Sequence, residues 1–133
     1  MNRPLLLAPD ADAIEALARA VLARLPEPFR RHLDTVVLRV EEFAEDAVLE
    51  EMGIADPLAL SGLYTGRPVG EKSVADSGAL PDMIHLYRRA LLDEWVETGV
   101  SLDALIAHVV IHEVGHHFGL SDDDMHAIEA GIG

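Results

Sequence analysis

An α+β fold is what this sequence predicts, and three features carry that reading. Asp10 to Leu25 has helical spacing, with Ile14, Leu17, Val21 and Leu25 recurring every three or four residues. Thr35 to Val40 is a run rich in β-branched residues, the mark of a strand. Leu102 to Phe118 is a long helical pattern that is apolar nearly all the way round, as a helix buried in a core is. The chain has 133 residues, 50% of them hydrophobic, which suits one domain over residues 1–133 with a core of useful size.

Each element has its own local signals. Asp10 or Asp12 can cap the first helix, and Pro26 and Pro28 stop it. After the strand, Glu41 to Met52 returns to a helical pattern through Phe43, Ala47, Val48 and Met52, and Gly53 suits its end. Between Asp56 and Asp82, glycines and prolines break every periodicity. A short strand fits within Leu60 to Val69, and Gly70 to Pro81 reads as a loop. Met83 to Tyr87 is a further strand, and Arg88 to Glu97 a short helix ended by Gly99. Ser101 caps the long helix, with Asp103 in its first turn, and Gly119 stops it. Asp122 to Ala130 forms a last short helix.

Composition narrows the chemistry. There are no cysteines, so disulfides and thiolate metal sites are excluded and any metal must be held by His, Asp or Glu. The absence fits a reducing compartment. The apolar run Leu5-Leu6-Leu7 is too short for a signal-peptide core and ends at Pro9. No stretch approaches the ~20 apolar residues of a membrane helix. The reading is a cytoplasmic protein without a membrane partner. A net charge of −14 repels nucleic-acid phosphates, so nucleic acid is not an expected partner.

The informative stretch is His112-Glu113-Val114-Gly115-His116-His117-Phe118-Gly119-Leu120-Ser121-Asp122. Its first five residues match His-Glu-x-x-His on a helix. Residues four apart lie one turn apart on the same face, so His112 and His116 can chelate one zinc ion. Glu113, beside the first ligand, is placed to act as general base toward metal-activated water. A catalytic zinc usually takes three protein ligands and keeps a fourth position for water. Gly119 can adopt a positive φ, which turns the chain sharply and brings Asp122 back as the third ligand. His126 and Glu129 are rival third ligands. His108, one turn before His112, is assigned a hydrogen-bonding or exposed role, because three successive ligands on one helix fit a single ion poorly. His117 points off the ligand face and reads as a supporting or surface residue. Asp123 and Asp124 complement the N-terminal end of the last helix. Tyr64 and Tyr87 can each stabilise an oxyanion, and Tyr64 is preferred for its Gly-flanked position. Trp95 and Met125 read as packing residues.

The segment resembles the extended zincin signature His-Glu-x-x-His-x-x-Gly-x-x-Asp. Leu60 to Gly66 and Pro81 to Arg88 also resemble segments of a family of small bacterial zincin-like metallopeptidases. The resemblance implies a minimal zincin: a small mixed sheet packed on a central helix that carries the site. It implies that Met83 to Tyr87 is the edge strand beside the metal cleft, pairing with an extended peptide. It implies zinc as cofactor, a peptide or protein as substrate, and peptide-bond hydrolysis with Glu113 taking a proton and returning it to the leaving amine.

Two other functions compete. Larger zincins carry a C-terminal subdomain that completes the cleft, and little sequence follows Asp122. This motivates a non-enzymatic, zinc-stabilised module that binds a peptide or protein at Met83 to Tyr87. The other is an acidic helical scaffold in which the motif is a coincidence.

Overall fold

The computed structural model describes residues 7–27, 29–66 and 82–132. The expected loop at 70–81, the end of the Leu60 to Val69 segment and the stop at Pro28 lie outside the described residues. The elements in chain order are α1 (Ala11–Arg24), α2 (Phe29–His32), β1 (Val37–Glu41), α3 (Asp46–Met52), a 3-10 turn (Pro57–Ala59), β2 (Gly62–Thr65), β3 (Met83–Tyr87), α4 (Arg88–Thr98), α5 (Leu102–Phe118) and α6 (Asp122–Ile132). The architecture is α+β.

Local chemistry accounts for most boundaries. The Asp10 carboxylate accepts from the Ala13 N–H at 2.8 Å and starts α1. Gly53, Gly99 and Gly119, at φ 69, 72 and 68, end α3, α4 and α5 in the left-handed region. Two expectations shift. The first strand starts at Val37, not Thr35, and runs one residue past Val40 to Glu41, and α3 begins only at Asp46, leaving Phe43 exposed outside it. Pairing with β3 explains the extension, since Glu41 is held in register with Tyr87. The four-residue α2 was not expected.

The sheet has the order β1-β3-β2. β1 and β3 are parallel, with Leu38 opposite Ile84 and Val40 opposite Leu86. β2 and β3 are antiparallel, with Gly62 opposite Leu86 and Tyr64 opposite Ile84. Met83–Tyr87 is thus the central strand. Its backbone is paired on both sides, so it offers no edge to a peptide, and the edge-strand role expected of it is corrected. Among the described residues, the edge strand next to α5 is β2, paired on one side only.

Alternation along the strands divides the apolar residues between two faces. Leu38, Ile84 and Leu86 enter the main core with Ile14, Ala18 and Val21 of α1 and with Leu105, Ile106, Val110 and Val114 of α5. Tyr87 turns to the other face and packs with Ala44, Leu49, Leu60 and Ala90 in a smaller cluster. Met125 belongs to the main core and Trp95, partly buried, packs against it, as expected of packing residues. No helix among the described residues is long and apolar enough to cross a membrane.

Candidate metal centre

The site is assembled on the C-terminal half of α5. Ser101 starts this helix, its hydroxyl accepting from the Ala104 N–H at 3.2 Å. Gly119 ends it, and the Leu120 N–H reaches back to the Gly115 carbonyl at 2.9 Å. That turn lets α6 fold back along α5. The return is close because Gly115 has no side chain. A Cβ there would overlap the thioether of Met125, which is only 1% exposed.

Glu113 is oriented from the sheet. Its Oε1 accepts from the Tyr64 backbone N–H at 2.9 Å. This N–H is available because of strand alternation. The Ser61 carbonyl accepts from the Tyr87 N–H, so Ser61, Leu63 and Thr65 turn their backbone groups toward β3, and Gly62 and Tyr64 turn theirs to the open edge. Glycine at 62 makes the approach possible: a Cβ there would sit 2.7 Å from Val109 Cγ1 and 3.5 Å from Glu113 Cγ. The carboxylate is 16% exposed, and its Oε2 lies 4.0 Å from His116 Nδ1. Burial pushes the Glu113 carboxyl above the ordinary carboxylate value, against the opposing pull of His116 and the Tyr64 N–H. A carboxylate raised in this way is a better proton acceptor.

The side chain of Tyr64 is committed elsewhere. Its hydroxyl donates to Asp82 Oδ2 at 3.0 Å. Its ring stacks on His117 at 4.3 Å between centroids and 18° between planes. Burial and the adjoining Asp82 hold the phenol protonated far above its usual range. To reach an oxyanion the hydroxyl must leave Asp82. His117 is buried, with Nε2 at 3.6 Å from Asp82 Oδ2, so it supports the site from behind and is not a surface residue. Sequence reasoning missed Asp82 and Gly62. Both lie in the segments that resemble the family, but neither residue was singled out within them.

His108, His112 and His116 lie one turn apart along α5. The three expected ligands are not gathered equally. His116 is 65% exposed, and Asp122 is an exposed first residue of α6. His112 instead groups with His108 and Glu129: one ligand atom from each lies within 4.8 Å of the others. His108 Nδ1 is 3.0 Å from Glu129 Oε1, so this residue has a hydrogen-bonding contact and also belongs to the group that could hold a metal. The His126 ring stands 6.1 Å from that of His112. Burial first, then neighbouring His108, lowers the His112 pKa and keeps its ring neutral, with a lone pair to give.

These residues fit a metal ion. Among the described residues His112 Nε2 is buried without a hydrogen-bond partner, a costly state for a ring nitrogen unless something binds it. The donors are imidazoles and carboxylates, a set suited to zinc.

No curated protein matches the chain. The family model for zincin-like metallopeptidases matches residues 33–132, which leaves out only α1, α2 and what precedes them among the elements. The match spans both the sheet that orients Glu113 and the helix that carries the histidines, and the chain therefore belongs to the zincin-like metallopeptidase family.

Proposed function

We propose that this protein is a zinc-dependent peptidase in which His112, His116 and Asp122 hold the metal and Glu113 is the general base. The observation that carries the reading is the setting of Glu113. One carboxylate oxygen is fixed by the edge-strand N–H at 2.9 Å, and the other lies on the His116 side. A base held by one oxygen keeps the second for proton transfer. When bound, zinc supplies Lewis acidity toward the scissile carbonyl and toward water.

The chain's own groups do the rest. Glu113 Oε2 takes a proton and returns it to the leaving amine. The open edge of β2 aligns an extended peptide by strand addition, with the Gly62 backbone and the Tyr64 carbonyl as its pairing groups. Tyr64 positions Glu113 through its backbone, and its hydroxyl serves an oxyanion once it is released from Asp82. Asp122, exposed at the start of α6, is the proposed third ligand.

The test is Glu113→Gln, assayed for zinc content and for cleavage of a peptide library. Retained zinc with turnover reduced ~10²–10⁴-fold is expected. Unchanged turnover would remove Glu113 from the mechanism. Absence of cleavage by zinc-loaded wild type across the library would favour a zinc-stabilised binding module.

A further inference from the structure

Three histidines spaced by four residues along α5 make two overlapping chelating pairs, and His112 belongs to both. One pair, His112 and His116, is the peptidase pair. The other, His108 and His112, faces α6. There Glu129 comes within 3.0 Å of His108 Nδ1, and the rings of His108 and His112 are 4.1 Å apart. One ligand atom from each of His108, His112 and Glu129 lies within 4.8 Å of the other two. Zinc bonds of about 2.0–2.1 Å place neighbouring tetrahedral ligand atoms roughly 3.4 Å apart. Small side-chain rotations close the difference. His112 Nε2 is buried with no hydrogen-bond partner among the described residues.

We propose that the seam between α5 and α6 is a second metal position, for a borderline divalent cation such as zinc, built by His108, His112 and Glu129 and mutually exclusive with the peptidase position. The exclusivity rests on the proposed function; the seam position does not. A neutral imidazole gives one ring lone pair while its other nitrogen carries the proton, so His112 serves one ion at a time. Each chain then holds one zinc, divided between a seam state and a peptidase state. The ratio of the two is set by their relative affinities and not by zinc concentration. Zinc in the seam is stored without being poised for hydrolysis, and anything that weakens Glu129 moves it toward the peptidase position.

The experiment measures zinc per chain and zinc affinity, by elemental analysis and chelator competition, on the full-length protein. It compares wild type, His116→Ala, Glu129→Gln and the double variant, with circular dichroism to verify the fold. About one zinc is expected in wild type and in each single variant. In the double variant affinity falls by more than ~100-fold, beyond what loss of an outer partner causes. In zinc-loaded His116→Ala, histidine-ring nitrogen NMR should shift His108 and His112 together, a readout that stands even if the Glu129 variant folds poorly. Loss of all zinc in His116→Ala overturns the seam and leaves the peptidase reading intact. Two zinc ions per wild-type chain overturn the exclusivity. Loss of zinc in Glu129→Gln, with retention in His116→Ala, keeps the seam and removes the peptidase position.

Discussion

Substituting Gly62→Ala tests how the sheet and α5 are fitted together. The new Cβ would lie 2.7 Å from Val109 Cγ1. Carbon atoms in contact prefer about 3.5–4.0 Å, so β2 and α5 must separate by roughly 1 Å. Overpacking of this kind costs about 1–3 kcal/mol. For a domain of this size that is a fall in Tm of roughly 4–12 °C. The same separation stretches the 2.9 Å bond from the Tyr64 N–H to Glu113 beyond useful length. That bond is one of the influences holding the Glu113 carboxyl down, so its loss pushes the carboxyl further up. The acid limb of a pH–rate profile should then move to higher pH. Thermal unfolding and the pH profile are measured on Gly62→Ala, Val109→Ala and the double variant. The double variant should recover part of the Tm loss, because Val109→Ala removes the atom that is struck. If Gly62→Ala melts with wild type and keeps its acid limb, the close approach does not set the position of Glu113.

Other outcomes follow from the same contacts. Glu113→Gln in metal-free protein should be at least as stable as wild type at neutral pH. A carboxyl raised in the folded state binds its proton more tightly there than when unfolded, so its ionisation costs stability as pH rises through the folded value. Melting curves of the two proteins should therefore converge as pH falls toward about 4, and a less stable variant at neutral pH would contradict this. Tyr64→Phe removes the 3.0 Å bond to Asp82 and should cost about 1–2 kcal/mol by denaturant unfolding. Gly115→Ala drives a methyl into the Met125 thioether and should destabilise by about 1–3 kcal/mol despite the better helix propensity of alanine. Met125→Ala in the same chain should relieve much of that strain while adding its own cavity cost.

The sequence by itself determined the elements whose signals are local. Ser101, Gly119 and the apolar run between them defined α5 to the residue, and Met83 to Tyr87 was legible as a strand. The His112-Glu113-His116 spacing was legible too, because helical geometry fixes which residues share a face. Only the tertiary structure decided which strand is central. Pairing is a long-range choice, and nothing in Met83 to Tyr87 records that both of its sides are taken. It also decided which groups meet across elements. Tyr64 was singled out for its hydroxyl, yet its backbone N–H is what reaches Glu113, through a gap that glycine at 62 leaves open. Glu129 and His108 are far apart in the chain and were weighed separately. They become partners because the turn at Gly119 and the notch at Gly115 lay α6 along α5. Periodicity reports which way one element faces; the position of its partner depends on the packing of all the others.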